Sequence, residues 1–315
     1  MATVTSPDTA ERDSSAEQPP RRRRRPVTAV SRGVWPLVVP AVVVSAILVI
    51  APVAYTIWLS VSAGTPGGAN AGFVGLENFA RTLQEPLFWN SLRVTLFLFV
   101  TCLIIETILG LALGYLLSID VRGRRVFQGV MLIPAITAQV AVALVWLLLY
   151  DPSLGAINQF LGQIGIEPLA WLGDPQVAPW AIVMVDVWQW TPFMALIISA
   201  GIRSLPTDPF EAASIDGASG WKKVRHVGLP LLLPVLTVAM LLRSVDLIRF
   251  FDTVFVMTQG GPVHATDTLN VHAYRAAFIQ QDVSYAATLQ LTLMAFVILV
   301  AALFTWLRSR SPNER

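Results

Sequence analysis

At 315 residues the chain is 55% hydrophobic and only 13% charged, with a mean hydropathy of +0.63, a composition outside the usual range of soluble domains. It reads as an integral membrane protein, in which the placement of charges matters more than their formal sum of +2. The single cysteine, Cys102, lies within an apolar run, and His226, His264 and His272 are scattered over different segments, so neither a disulfide framework nor a metal site is supported and no cofactor is expected.

Residues 1–33 are rich in Ser, Thr, Pro, Glu and Arg and have too little apolar content to form a core, so a disordered basic tail is expected. The consecutive arginines at 21–25 stand beside the first apolar run, where they read as a topology signal or a contact with the lipid bilayer and not as a nucleic-acid patch. That apolar run exceeds the roughly 7–15 residues of a signal-peptide core.

Six apolar runs follow, at 37–58, 94–117, 127–150, 179–200, 231–257 and 287–307. Each is near the ~20 residues needed to cross a hydrocarbon core of ~30 Å. The expected fold is all-α, with six transmembrane helices in a domain spanning 34–308 and a short tail at 309–315. Pro134, Pro192 and Pro234 lie within these runs, and kinks are expected there. Lys and Arg concentrate in the tails and in the second-to-third and fourth-to-fifth connections, whereas the other connections hold Arg81, Arg93 and Arg275. The positive-inside rule then places both termini and the fourth-to-fifth loop in the cytoplasm. The opposite connections are rich in Gly, Pro, Asn, Trp and Phe and too short for a separate domain.

The fourth-to-fifth loop, within 203–230, is strongly punctuated. Asp208 can cap a short helix over about 209–215, with Pro209 at its first position and Glu211 placed to return to the cap and to meet the positive end of the dipole. Gly217 permits a turn, and Ser219 can cap a second short helix through Trp221, Lys222, Lys223 and Arg225 that ends at Leu229-Pro230. Its shape is that of a docking part.

The fifth run carries Arg243, Asp246, Arg249 and Asp252, alternating in sign at intervals of three, so each Asp can pair with an adjacent Arg on a helix. Ionisable groups at bilayer depth face a bundle interior or an aqueous cavity, which leaves two readings open, a structural zipper and a pathway lining. Glu106, Gln139, Asp186 and Gln189 add polar groups in other runs, flanked by Trp188, Trp190, Phe250, Phe251 and Phe255. Aromatic faces beside hydrogen-bonding groups suit a polyhydroxylated solute. The candidate path residues are therefore Asp186, Gln189, Arg243, Asp246, Arg249, Phe250 and Asp252. No G-x-x-x-x-G-K-[ST] phosphate loop, G-x-S-x-G or H-E-x-x-H occurs, so the chain is not expected to be an enzyme, and energy has to come from a partner or an ion gradient.

Three motifs carry a resemblance. Glu211-Ala212-Ala213, three residues, Gly217, nine residues, Val227, one residue and Leu229-Pro230 resemble the EAA loop of permease subunits of binding-protein-dependent ABC importers. Phe73-Val74-Gly75-Leu76-Glu77-Asn78-Phe79 resembles the FVGLxNY signature of sugar permeases, with Phe79 for Tyr, and Thr258-Gln259-Gly260-Gly261-Pro262 resembles the TxGGP stretch of the MalF type. The resemblance implies a carbohydrate permease of a bacterial or archaeal cytoplasmic membrane. It implies as partners a second permease, an ATP-binding cassette ATPase dimer and an extracytoplasmic solute-binding protein. It also implies that Glu211, Ala212, Ala213, Asp216, Gly217, Ala218, Leu229 and Pro230 couple the chain to the ATPase. The rival class, a stand-alone secondary transporter or channel for a small polar solute, predicts an internal repeat, and the first half holds no EAA-like partner around Arg122, Arg124 and Arg125.

Overall fold

The computed structural model of the chain describes residues 2, 35–64, 70–120 and 122–309. The expected 1–33 tail, apart from residue 2, and all but the first residue of the expected 309–315 tail lie outside these. The chain divides into two units, 1–51 and 52–315. In the first, residues 35–51 form the leading part of helix α1 (Trp35–Ser60), an apolar stretch without a charged side chain.

The second unit takes up the end of α1 and continues into a short antiparallel pair, β1 (Ser62–Gly64) and β2 (Asn70–Phe73), followed by α2 (Glu77–Gln84). Asn78 of the Phe73–Phe79 signature is buried, and its amide donates to the carbonyls of Ser60 and Ser62 at 2.9 Å each, stapling the end of α1 to α2. Gly75 supplies the positive φ of +60° for the turn between them. Arg81 of α2 bonds Asp282 at 2.7 Å and lies 4.6 Å over the Tyr285 ring. The Asp282 carboxylate holds that guanidinium above its ordinary range.

α3 (Pro86–Ser118) begins eight residues before the second apolar run, because Pro86 starts a helix without needing a donor and Arg93 turns outward without interrupting it. Its main partner is α7 (Ala178–Arg203), to which it presents two glycines one turn apart. A Cβ at Gly110 would stand 2.9 Å from Met194 Cβ, and one at Gly114 would stand 2.8 Å from Ile198 Cγ2 and 3.0 Å from the Ala195 carbonyl. Small residues at this spacing let two membrane helices pack backbone to backbone. Gly114→Ala is therefore expected to destabilise the detergent-solubilised chain by about 1–3 kcal/mol, seen as a lower Tm. Gly129→Ala, where a Cβ meets nothing within 4 Å, should not lower it; equal Tm values for the two variants would reject the close packing.

The third expected span, 127–150, is instead two helices, α4 (Arg124–Ile136) and α5 (Gln139–Leu149), meeting at 92°. Thr137 and Ala138 are extended, with ψ of 139° and 133°. The Thr137 carbonyl released at this break accepts from Gln189 Nε2 of α7 at 3.2 Å. Within α6 (Ala156–Gln163), the buried Asn158 ties residues 152–171 together through Pro152, Leu169 and Trp171.

The expected fifth span, 231–257, is also interrupted. The fourth-to-fifth loop forms α8 (Asp208–Ile215) and α9 (Gly220–Lys223), passes through a π turn (Val224–Gly228) into α10 (Leu229–Ile248), and breaks at residues 249–251 before α11 (Asp252–Met257). α12 (Leu269–Tyr274), a second π turn (Arg275–Ile279) and α13 (Val283–Ser309) complete the chain. α7 and α10 run through Pro192 and Pro234 as continuous helices. Among the described residues five helices are long and apolar enough to cross a membrane, or six when the bent α4–α5 pair counts as one span. One hydrophobic core joins α3, α7, α10, α12 and α13.

Candidate functional site

Two groupings of the singled-out residues stand out, at one end of the helices and at their centre. At the end, Arg203 and Arg124 both bond the carboxylate of Asp120, at 2.7 and 2.9 Å, so α7 is clipped to the end of α3 just where the loop begins. α8 then starts one residue earlier than the sequence suggests. Thr207 is its cap, its carbonyl accepting from the N–H groups of Phe210 and Glu211, and no side-chain cap bond forms. Asp208 is the first helical residue, so Asp208 and Glu211 both lie in the first turn, where the dipole favours a carboxylate.

The turn between α8 and α9 is as the glycine requires. Gly217 has φ +72°, its N–H reaches the Ser214 carbonyl, and the Ala218 N–H reaches back to Ala213. These two bonds are the Schellman closure of a helix, with Asp216 as its cap. Ser219 takes the extended cap geometry for α9. Lys223 Nζ bonds Ser214 Oγ at 2.8 Å across the turn, and the Phe210 ring lies against Gly228. Leu229-Pro230 does not end this second helix. The Leu229 N–H bonds the Val224 carbonyl in a π turn, Pro230 sits in the first turn of α10 where no donor is needed, and the helix continues. No residue of α8, α9 or the π turn is buried, and Ile215 and Trp221 are 88% and 71% exposed. The unit is closed by its own backbone bonds and presents large apolar side chains on its surface.

At the centre, Arg243 of α10 is turned inward. Its Nε and Nη2 bond both oxygens of Glu106 on α3, at 2.7 and 3.0 Å, Nη2 also bonds Asp186 on α7, and Nη1 bonds Asp246. The guanidinium lies 4.9 Å over the Trp190 ring. Arg243, Glu106 and Asp186 are 2%, 0% and 1% exposed, whereas Asp246 is 47% exposed. A bidentate guanidinium between carboxylates of two other helices is a bolt, and its donors are already engaged.

The i, i+3 zipper expected along the fifth span is thus realised only in its first step. Arg249 lies at the end of α10 and Asp252 at the start of α11, so the break removes the helical register that would pair them. Among the described residues neither makes an ion pair. Gln189 is buried and bonded to the α4–α5 break, Asp186 is buried and bonded to Arg243, and Phe250 is 6% exposed, so all three are enclosed within the helices. Asp246 and Arg249 are the candidate path residues of this set left exposed on α10. Sequence reasoning noted Glu106 without pairing it to Arg243. Its signal was a single carboxylate in an otherwise apolar run, which demands a cation from another helix.

Comparison with known proteins follows the same lines. The family described as "Binding-protein-dependent transport system inner membrane component" matches residues 106–311. The trehalose/maltose transport system permease protein MalF of Thermococcus litoralis is 36% identical over 272 residues, covering 86% of this chain and 91% of that protein. The sn-glycerol-3-phosphate transport system permease protein UgpA of Escherichia coli O157:H7 is 31% identical over 283 residues, covering 87% and 93%. A crystal structure of a bacterial ABC transporter involved in the import of alginate shares the fold, with TM-score 0.77 at 19% identity over 89% of this chain and 96% of that one. The alginate transporter solved in complex with a periplasmic protein bound to an alginate pentasaccharide gives TM-score 0.75 at 18% identity, over 86% and 92%.

Proposed function

Because the chain belongs to the family of inner-membrane components of binding-protein-dependent transport systems, we propose that it is the MalF-like permease of a carbohydrate ABC importer. In this reading it crosses the membrane six times and forms the translocation path with a second permease. ATP is hydrolysed on separate ATPase subunits, and a binding protein delivers the solute from outside. The observation that carries the reading is the α8–α9 unit, a closed, exposed helix pair between the fourth and fifth spans, with Glu211, Ala212, Ala213, Asp216, Gly217, Ala218, Leu229 and Pro230 at the positions of an EAA loop. A unit of this kind transmits ATPase closure to α7, which leads into it, and on to α3 through the Arg203–Asp120 clip, and to α10 through the unbroken π turn. The partners and the carbohydrate class are supported by the relatives' names and by the alginate transporter captured with its periplasmic protein. Charge supports a neutral solute over a phosphate: Arg243 is consumed by three carboxylates, and the exposed wall of α10 carries one charge of each sign, Asp246 and Arg249.

The test is the native mass of the tagged chain purified from mild detergent together with its orientation. A complex with a second permease and two ATPase subunits is expected, whereas a chain purifying alone would reject the reading. In a Cys102→Ser background, Gly75→Cys and Gly261→Cys should label with an impermeant maleimide in intact cells, and Gly217→Cys should label only after permeabilisation. Labelling of the Gly217 site in intact cells would overturn the proposed cytoplasmic placement of both termini and of the loop.

A further inference from the structure

Apart from the Arg243 cluster, the second unit holds a groove of about 420 Å³ between the end of α1, Phe251 at the break after α10, α12 with the π turn that follows it, and the start of α13. That volume lies within the roughly 300–1,000 Å³ of small-molecule sites. Its lining combines two kinds of group. Phe251, Tyr274 and Phe278 form an aromatic run, with ring centroids 5.4 Å apart between Phe251 and Tyr274 and 4.9 Å between Tyr274 and Phe278. Phe278 is 71% exposed. Alongside lie the amides of Asn270 and Gln290 and the hydroxyl of Thr56.

The amides distinguish this groove from an ordinary lipid-facing crevice. Asn270 is fixed, donating to the Arg249 carbonyl at 3.0 Å and accepting from Gln290 Nε2 at 3.0 Å. Gln290 Oε1 and the second N–H of that amide have no partner among the described residues. An amide held in place with unused donor and acceptor capacity, seven residues into a span, is out of place against hydrocarbon. No charged side chain lines the groove.

From this juxtaposition we infer that the groove is a stacking site for a neutral pyranose, with the sugar's C–H face on Phe278 and Tyr274 and its hydroxyls on Gln290 and Thr56. The chemistry is complementary on both sides, since a pyranose has an apolar face for a ring and equatorial hydroxyls that both donate and accept. The site is separate from the buried bolt at Arg243. It places recognition at the α12–α13 side of the unit, next to the exposed Arg249 end of α10. The inference rests on the carbohydrate reading above and deepens it by naming the ligand class and the residues that hold it.

The test uses the whole transporter in proteoliposomes with its binding protein, and ¹⁴C-labelled maltose and trehalose as probes, with ATP-driven uptake measured over a range of sugar concentration. Phe278→Leu keeps an apolar side chain and removes the ring; Phe278→Tyr keeps the ring. Stacking requires the first to raise the apparent KM about tenfold and the second to leave it within about twofold. Gln290→Leu should raise it similarly. Equal KM values for wild type and Phe278→Leu, in a complex that does import sugar, would overturn the site while leaving the carbohydrate reading intact. A wild-type complex that assembles and hydrolyses ATP but imports neither sugar removes the premise, and the inference falls with it. Tyr274→Phe, which keeps the ring, serves as a second conservative variant, and its expected KM is that of wild type.

Discussion

Gly217→Val is expected to separate the ATPase from the permease while the apolar helices still insert. Gly217 has φ +72°, where a β-branched residue is strained by roughly 1–3 kcal/mol. The strain falls on the two backbone bonds that close α8, from Gly217 to Ser214 and from Ala218 to Ala213. The unit contains no buried residue to hold its shape if those bonds are lost. A strain of about 2 kcal/mol carried into the docked geometry weakens docking roughly thirtyfold. Ala213→Asp should act at the same place by another route, setting an unpaired carboxylate in the contact. The measurement is copurification of ATPase with tagged permease, together with substrate-stimulated ATP hydrolysis in proteoliposomes. Gly165→Val is the control, because Gly165 also has positive φ, +79°, but lies in the loop after α6, and it should copurify normally. Normal copurification and stimulation for both loop variants would show that the loop is not the coupling element.

What the sequence made legible follows a physical division between local and long-range causes. The turn at Gly217 and the cap geometry of Ser219 are set by neighbouring residues, and they stand where spacing put them. The departures come from contacts between distant residues. Thr207 and not Asp208 caps α8, a shift of one position within ordinary helix-end variation. The 92° break between α4 and α5 is stabilised by Gln189, 52 residues away, accepted by the Thr137 carbonyl, and the sequence around Pro134 promised no more than a kink. Of the Arg243 pairings only the one with Asp246 was legible, because i, i+3 neighbours are visible in a sequence and partners on other helices are not. The Gly110 and Gly114 repeat in α3 is a small-residue packing face whose partner, Met194 to Ile198 on α7, only the fold supplies. Asn78 shows the same limit at a motif: the signature marked the position, and the fold gave the reason, two carbonyls to be joined.

Arg243→Met should be the most damaging single change at the centre of the helices. It leaves Glu106 and Asp186, 0% and 1% exposed, facing each other without a cation. Stranding buried charge in this way costs about 3–5 kcal/mol, a large share of the stability of an ordinary domain. Asp246→Ala should be milder, because Asp246 is 47% exposed and Arg243 retains Glu106 and Asp186 when it is gone. The ordering of Tm in detergent is therefore wild type, then Asp246→Ala, then Arg243→Met, and an Arg243→Met protein melting with wild type would reject the bolt. Replacing the whole cluster is the sharper experiment. Arg243→Met combined with Glu106→Gln and Asp186→Asn removes every buried charge at once, and such replacements are often neutral or stabilising where single removals are not. Stability should return in the triple variant. If ATP-driven uptake returns with it, the cluster only fastens α3, α7 and α10 together. If the triple variant is stable, binds its ATPase and still fails to transport, the ionised form of the cluster takes part in the transport cycle, because α10 must then exchange Arg243 between partners as the helices move.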